Sequence, residues 1–343
     1  MKRHTLSFTL ILISILIFFI LNLVLGTISI PLRSIGNILL GTGDESVIWQ
    51  NIIWKSRFPQ TLTALLAGAG LSISGLQMHT VFRNPLAGPS ELGISSGASL
   101  GVALIILLSG SIGGTALSTI GIFGEVAISI AAISGAMAVM AIIFAISQRV
   151  RGNVILLIIG VMIGYIATAI IGVLKFFSND EDVRAYVIWG LGSFSKVSGN
   201  QVYTFVCIML VLIPISFLLI KTLNLMLLGE GYARNLGLNI RRARLYVIAS
   251  SCVITAIITA YCGPIVFLGL AVPHLCRTIF VSSDHRILMP AVTLTGASLA
   301  LFCNLVARMP GFEGALPINS VTALIGAPIV ISVLFGKRKS EIS

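Results

Sequence analysis

The sequence is poor in charge. Only 10% of its 343 residues are Asp, Glu, Lys or Arg, whereas 57% are apolar. The mean hydropathy is +1.06, and apolar runs of about 20 residues recur along the chain, which excludes a soluble globule. The runs are continuous rather than alternating, so they favour helices over the strands of a membrane barrel. The predicted fold class is therefore an all-α membrane protein, a polytopic bundle of transmembrane helices.

Patterns that indicate metal binding or catalysis are also missing. The five cysteines lie singly in apolar runs, and the four histidines show no ligand spacing, so no metal site is predicted. The sequence has no GxxxxGK[ST] phosphate-binding loop, and we do not expect the chain to hydrolyse ATP by itself. No Ser/His/Asp or paired-carboxylate arrangement indicates an enzyme.

Hydrophobic runs bounded by helix breakers predict ten membrane-spanning helices, at 5–25, 61–81, 97–119, 122–147, 153–174, 202–220, 245–261, 263–281, 287–307 and 319–335. The first resembles a secretory signal, but its apolar stretch exceeds the usual core of about 7 to 15 residues, so we interpret it as a retained helix. No linker separates the runs. Residues 1–343 are therefore predicted to form a single transmembrane domain.

The distribution of basic residues predicts the orientation of the chain. An even number of spans places both termini on one side. With the termini inside, the inner segments carry 15 Lys and Arg residues and the outer segments carry 7, which predicts cytoplasmic termini. Basic loops beside anionic lipid headgroups also explain the net charge of +11 without a nucleic-acid partner.

Polar groups at membrane depth are few. Gln77, His79 and Glu125 are the main candidates, whereas an ion-driven carrier usually places acidic or carbonyl ligands at the midplane. A secondary carrier driven by an ion gradient is therefore the less favoured alternative to an externally energised transporter.

Three stretches are more specific than composition. R-F-P-Q begins at Arg57. F-R-N-P-L-A-G-P-S-E-L-G begins at Phe82, and G-P-I-V-F-L-G-L-A-V-P-H-L-C-R begins at Gly263. Each by itself reads as a helix end or a turn. The residues singled out in the last two are Arg83, Asn84, Pro85 and Pro89 in the inner loop, and Pro273, His274 and Arg277 in the eighth span.

A fourth stretch, L-G-E-G-Y-A-R-N-L-G-L-N-I-R-R-A-R, begins at Leu228. Leu228, Tyr232 and Leu236 lie four residues apart, which predicts one apolar ridge on a short helix. Gly237 is a natural helix stop before a second short turn from Asn239. The alternative interpretation is a solvated basic loop that obeys the positive-inside rule.

Six motifs occur in order between Arg57 and Pro328: R-F-P-Q, R-N-P-L-A-G-P, W-G-L-G-S-F, L-G-E-G-Y-A-R-N-L-G, G-x-I-x-F-x-G-L-x-x-P-H-x-x-R and L-P-I-N-S-V-T-A-L-I-G-A-P. Together they resemble the permease subunits of bacterial ABC importers for iron-siderophore complexes, haem and vitamin B12, the FecCD type of type II importers. The resemblance implies a permease subunit of an ATP-driven importer for an iron chelate, siderophore or haem. Import of vitamin B12 is the alternative.

The resemblance also implies the partners and location. Such permeases have ten transmembrane helices and act as homodimers in the bacterial plasma (inner) membrane, with alternating access along the dimer axis. Two ATPase subunits dock on the cytoplasmic side and bind ATP-Mg, so no cofactor is expected in this chain. A substrate-binding protein docks outside.

In this family, the segment corresponding to about 223–243, between helices six and seven, couples the permease to its ATPase. The implied coupling residues are Gly229, Glu230, Tyr232, Ala233, Arg234, Leu236 and Gly237. For Arg241, Arg242 and Arg244, coupling and a simple basic loop remain equal alternatives. The S-Q-R-V-R-G-N loop corresponds to the inner gate, with Gly152 and Asn153 as gate residues.

The resemblance further implies an outer socket for the binding protein. Arg57, Gln60 and Arg308 occupy its positions, although relatives carry a basic residue where this chain has Gln60. Snorkelling at the membrane interface is the alternative for the two arginines. Relatives also show Glu-Leu-Pro-x-Gly where this chain has Ala315-Leu316-Pro317-Ile318-Asn319, and Glu313 is a candidate substitute.

Overall fold

The computed structural model describes residues 2–26, 28, 30–42, 45–113, 122–147, 153–309 and 315–340, and the regular structure within these ranges is helical. The helices are α1 (Lys2–Val24), α2 (Leu32–Leu40), α3 (Val47–Ile52), α4 (Phe58–Phe82), α5 (Ile94–Gly113), α6 (Ile122–Ser147), α7 (Asn153–Phe177), α8 (Asp180–Gly190), α9 (Asn200–Phe217), α10 (Ile220–Leu227), α11 (Glu230–Asn235), α12 (Ile240–Cys262), α13 (Leu268–Phe280), α14 (His285–Ala307) and α15 (Ile318–Ser340). A π-helical turn (Ile53–Arg57) joins α3 to α4, and a 3-10 turn (Phe194–Lys196) precedes α9.

The predicted helical membrane fold is confirmed. Seven helical segments in the described ranges are long and apolar enough to cross a membrane: His4–Val24, Val47–Phe82, Val126–Ser147, Val154–Phe177, Asn200–Phe217, Ile240–Cys262 and His285–Ala307. The other three predicted spans correspond to α5, α13 and α15, whose apolar stretches are shorter. The number of crossings and the cytoplasmic position of the termini stay predictions.

Helix α4 occupies the centre of the bundle. Nearly all of its side chains are buried, and it packs against α14, α12 and α13. Glycines bring these helices together: a Cβ at Gly68 would lie 2.3 Å from the carbonyl oxygen of Gly296, and one at Gly75 would lie 1.8 Å from that of Gly269. Small residues thus allow the close approach of helix backbones at these two crossings.

Two predicted helix boundaries are wrong. The eighth span was expected to be helical from 263, but α13 begins at Leu268 after an irregular segment in which Gly263 and Phe267 have φ of +77° and +72°. Pro264 follows Gly263 and offers no backbone N–H. The seventh span begins at Ile240 rather than 245, because the side chain of Asn239 accepts a hydrogen bond from the backbone N–H of Arg242 and caps α12. The predicted second short turn is thus the first turn of α12.

Candidate coupling, gate and docking surfaces

The predicted coupling segment forms two short helices, α10 and α11, with a sharp turn between them. Gly229 has φ of +107° and Gly237 has φ of +85°, a region that favours glycine. After α11, the N–H of Gly237 donates to the carbonyl of Arg234 at 2.9 Å, and the N–H of Leu238 donates to that of Ala233 at 3.0 Å. This pair of bonds is a Schellman motif, so the predicted glycine stop is confirmed.

The predicted apolar ridge is exposed. Leu228, Tyr232 and Leu236 have 57%, 62% and 55% of their surface accessible. Only Tyr232 lies inside α11, whereas Leu228 and Leu236 flank it, because the helix is shorter than the ridge. Ala233 faces the opposite way and is fully buried. The buried Ala233 anchors the segment, and the three exposed apolar side chains form a surface suited to a protein partner. The coupling role of this surface stays a prediction.

An ion pair attaches α11 to α12. Nη2 of Arg244 lies 2.7 Å from Oε1 of Glu230, and the arginine is the less exposed partner. Arg241 and Arg242 are exposed on the same turn of α12. The three arginines therefore differ in their surroundings: Arg244 holds the coupling segment against α12, whereas the other two face outward. Arg234, the remaining basic coupling residue, is also exposed.

Two motifs far apart in sequence meet at the inner loop. Oδ1 of Asn84 accepts the N–H of Leu86 at 2.9 Å, which closes a turn around Pro85. The carbonyl of Pro85 then accepts a hydrogen bond from Nε2 of His274 at 2.8 Å. Pro89 packs near Gly269, in the same helix as Pro273, His274 and Arg277. The R-N-P-L-A-G-P and P-H-x-x-R motifs thus form one structural unit.

Arg83 links this unit to the coupling segment. It ends α4 with φ of +49°, and its Nη2 donates to the carbonyl of Met226 at 3.1 Å. Glu91 lies in the same loop, where burial raises the pKa of its carboxyl. The inner loop therefore contacts the end of α10 directly.

Sequence reasoning missed a second connection to the coupling segment, which we call the Asn224 network and define as Asn224, Asp284, His285 and Thr80. Nδ2 of Asn224 donates to Oδ1 of Asp284 at 2.6 Å. Oδ1 of Asn224 accepts the backbone N–H of His285 at 2.8 Å and lies 2.8 Å from Nδ1 of its ring. Nε2 of His285 lies 2.8 Å from the hydroxyl of Thr80. The network joins α10, α14 and α4.

The predicted gate lies at the edge of the described residues. Gly152 falls outside them, and Asn153 is the first residue of α7, with its side chain outside the described part. The gate assignment therefore stays a prediction.

Among the predicted docking residues, Arg57 is buried, with 1% of its surface accessible. Its Nη1 donates to the carbonyls of Leu23 and Val24 at 2.7 and 2.8 Å, and its Nη2 donates to that of Ile28. Arg57 thereby binds the C-terminal carbonyls of α1, which have no partner within that helix. The proposed contact with a binding protein stays a prediction.

Arg308 lies beside Arg57. A Cβ at Gly26 would lie 3.0 Å from Nη2 of Arg57 and 3.2 Å from Nη2 of Arg308, so both guanidinium groups border this glycine. Burial and the charge of Arg57 lower the pKa of Arg308. Nη1 of Arg308 is buried and has no hydrogen-bond partner among the described residues.

Gln60 is buried in a chain of amides rather than at the surface. Its Nε2 donates to Oδ1 of Asn304 at 3.0 Å, and Nδ2 of Asn304 donates to Oδ1 of Asn22 at 2.7 Å. Nδ2 of Asn22 donates to the carbonyl of Leu301 at 3.0 Å. This arrangement joins α4, α14 and α1 at one end of the bundle.

Three further motifs meet at a crossing of irregular segments. The N–H of Ser193 donates to the carbonyl of Cys262 at 2.7 Å, which joins W-G-L-G-S-F to the start of G-P-I-V-F. Oδ1 of Asn319 accepts the N–H of Val266 at 3.2 Å, and the N–H of Asn319 donates to the carbonyl of Leu191 at 3.3 Å. Asn319 of the L-P-I-N motif therefore bridges the other two. Glu313 lies outside the described residues.

Comparison with known proteins matches the chain to one family of transport proteins. The FecCD transport family matches residues 13–336. The hemin transport system permease protein HmuU of Yersinia pestis is 33% identical over 341 residues, covering 99% of this chain and 97% of the relative. The vitamin B12 import system permease protein BtuC of Klebsiella pneumoniae is 36% identical over 290 residues, 84% of each chain.

A solved structure has the same fold. It is an inward-facing conformation of a metal-chelate type ABC transporter, 28% identical, with a TM-score of 0.82 over 97% of this chain and 99% of that one. The relatives are transport permeases rather than enzymes, and the long apolar helices make this chain a multi-pass membrane protein. It belongs to the FecCD transport family.

Proposed function

We propose that this chain is the permease subunit of an ATP-driven importer for an iron chelate, either a siderophore complex or haem. The observation that carries the proposal is the exposed ridge of Leu228, Tyr232 and Leu236, which the buried Ala233 anchors to the protein. Family membership and the similarity to a hemin permease support the substrate class. Two copies of the chain, in the plasma membrane of a bacterium, would form the path.

Energy in this proposal comes from partner subunits. Two ATPase subunits bind ATP-Mg and contact the ridge from the cytoplasm, and a substrate-binding protein delivers the chelate from outside. Closure of the ATPases on ATP displaces the ridge, and the dimer alternates between outward-open and inward-open arrangements. The permease contributes the path and the moving surface, while the hydrolysis takes place in the partner.

Vitamin B12 is the second candidate substrate. The observation that favours it is the 36% identity to a vitamin B12 permease over 84% of the chain. Growth of a strain that lacks this chain on single iron sources, and separately with vitamin B12 limiting, distinguishes the two substrates. Loss of growth only on one iron chelate supports the first proposal, and loss only under vitamin B12 limitation supports the second.

The coupling surface is tested by copurification of the ATPase subunit with the chain. We expect the double substitution Tyr232→Ala with Leu236→Ala to abolish copurification, because it removes most of the exposed ridge. The matched control is Tyr203→Ala with Leu218→Ala, which truncates the same residue types at positions with 74% and 78% of their surface accessible on α9 and at its end. Retention of the ATPase by both double variants would contradict the proposal.

A transport assay tests the energy source. In vesicles whose membrane carries the purified chain with its ATPase inside and the binding protein added outside, uptake should require internal ATP. Uptake by the chain alone, driven by an imposed ion gradient, would instead support the secondary carrier and overturn the proposal.

A further inference from the structure

The Asn224 network has a fixed arrangement of donors and acceptors. The backbone N–H of His285 can only donate, so the Asn224 atom that faces it at 2.8 Å is the oxygen. The amide nitrogen of Asn224 therefore faces Oδ1 of Asp284, at 2.6 Å. Oδ1 of Asp284 also accepts the N–H of Arg286 at 2.8 Å. Asn224 and Asp284 thus satisfy the first two N–H groups of α14 together, one from another helix and one from the N-cap.

The ring of His285 extends the network to α4. Because Oδ1 of Asn224 can only accept, the ring nitrogen that lies 2.8 Å from it, Nδ1, carries a proton. The other nitrogen lies 2.8 Å from the hydroxyl of Thr80, which is buried in α4. A single polar side chain of α10 is therefore connected to both α14 and α4.

A second attachment fixes the end of α10. Arg83, which ends α4, donates to the carbonyl of Met226 at 3.1 Å. Leu223 and Met226 are buried on the face of α10 that packs against the bundle. Helix α10 is therefore held both by its buried side chains and at its last turn. Because α10 cannot rotate freely, it cannot absorb a displacement of α11.

Helices α4 and α14 form a rigid pair beyond the network. Their backbones approach so closely at Gly68 and Gly296 that a Cβ on either residue would lie within 2.5 Å of the other's carbonyl oxygen. The hydrogen bond between Gln60 and Asn304 joins them again near their far ends. Arg308 follows directly after α14. A single helix therefore runs from the Asn224 network to one of the predicted docking residues.

We propose that Asn224 is a positioning residue for transport: it fixes the coupling segment to the start of α14, so that movement of the ridge shifts α4 and α14 together and reaches the end that carries Arg308. The inference rests on the proposed function. Coupling between two sites is reciprocal, so docking at the Arg308 end also acts back on the ridge.

The test uses the complete transporter in vesicles, with wild-type chain or Asn224→Leu, a substitution of similar volume. Basal ATP hydrolysis and its stimulation by substrate-loaded binding protein are measured together. We expect Asn224→Leu to retain the ATPase subunit and near wild-type basal hydrolysis but to lose at least about five-fold in stimulation, the lower end of usual coupling factors. The control is Thr222→Val, on the same helix but outside the network, which should be stimulated normally.

A reciprocal exchange separates positioning from simple stability. Asn224→Asp places a carboxylate against Asp284, where like charges repel, and should abolish stimulation. The double variant Asn224→Asp with Asp284→Asn restores one amide and one carboxylate at this contact and should recover it. Lower thermal stability in all three variants with an unchanged stimulation ratio would show that the network is only structural.

The two proposals fail in different ways. If the wild-type chain binds and stimulates an ATPase while Asn224→Leu behaves identically, the positioning role is wrong and the proposed function stands. If the wild-type chain binds no ATPase, the proposed function is wrong and the inference falls with it.

Discussion

Gln60 on α4 donates its amide to Oδ1 of Asn304 on α14 at 3.0 Å, and both side chains are buried. Asn304 passes the connection to Asn22 on α1 at 2.7 Å. A neutral side chain at position 60 thus matches an amide partner inside the bundle. Gln60, at the position where the resemblance implies a basic residue, therefore has a structural role in this chain.

Breaking this chain of amides at its centre should destabilise the protein. Asn304→Leu leaves the donor of Gln60 and the acceptor of Asn22 buried without partners, which costs about 1–3 kcal/mol for each stranded group. The double variant Gln60→Met with Asn304→Leu should recover part of this loss. The control Gln50→Met removes an exposed amide. Thermal unfolding in detergent measures the effects, and additive losses in the double variant would contradict the direct contact.

Arg57 is predicted to stabilise the end of α1. Arg57→Met keeps most of the apolar stem but removes the donors to the carbonyls of Leu23, Val24 and Ile28. We expect a loss of at least about 2 kcal/mol in the free energy of unfolding, because hydrogen bonds to charged groups are strong and the buried carbonyl of Leu23 loses its donor. Lys55→Met, at an exposed basic position on the preceding turn, should change stability little.

Arg308, unlike Arg57, is predicted to contribute to docking rather than to stability. Its Nη1 has no hydrogen-bond partner among the described residues, and the charge of Arg57 beside it lowers its pKa. Arg308→Met removes one of two neighbouring like charges and should leave thermal stability unchanged or raise it slightly. We expect it to slow association with an acidic binding protein, most strongly at low salt. An unaltered association rate measured by surface plasmon resonance would argue against docking at Arg308.

The long helices could be predicted because their signal is local. A run of about 20 apolar residues predicts a membrane span even when the helices that pack against it are unknown. The short helices lack this signal, and α8 was missed because it begins with three acidic residues, Asp180, Glu181 and Asp182, rather than with an apolar run. These acids favour a helix start by their interaction with its dipole, and only the surrounding bundle makes so short a helix stable.

The site was harder to predict because its contacts are distant in sequence. Asn224 and Asp284 are 60 residues apart, and Gln60 and Asn304 are 244 apart. A single amide in an apolar run reveals no partner until the helices that adjoin it are known. The ridge of Leu228, Tyr232 and Leu236 could be recognised because its spacing is that of one helix face. Arg57 looked like a surface residue because basic residues at helix ends usually snorkel, yet the end of α1 folds over it.

The crossing of α4 and α13 predicts a severe effect of one methyl group. A Cβ at Gly75 would lie 1.8 Å from the backbone oxygen of Gly269, so Gly75→Ala forces the helices apart. Overpacking of this kind costs about 1–3 kcal/mol or more. The control is Gly172→Ala in α7, where a Cβ has nothing within 4 Å and alanine is the better helix former. Equal thermal stability of the two variants would contradict the close approach of the two backbones.

Lys196 should titrate at an unusually low pH. Its Nζ donates to the carbonyls of Ile188 and Trp189 at 3.2 Å each, near the end of α8. Burial lowers the pKa of Lys196 from 10.5 to about 8. Between these values the unfolded chain binds more protons than the folded one, so the contribution of Lys196 to the free energy of unfolding rises with pH across this window. The neutral amine keeps two N–H groups and can still donate to both carbonyls.

Acylation of Lys196 by an amine-reactive reagent, followed by mass spectrometry, measures this shift. Only the neutral amine reacts, so labelling of the folded protein should rise with a midpoint near pH 8, the pKa that burial imposes. The same residue in detergent-denatured protein provides the control, because exposure to water removes the cause of the shift and moves the midpoint upward. If folded and denatured protein give the same midpoint, the ammonium group is solvated, and Lys196 does not cap α8 in the way that the two carbonyl contacts indicate.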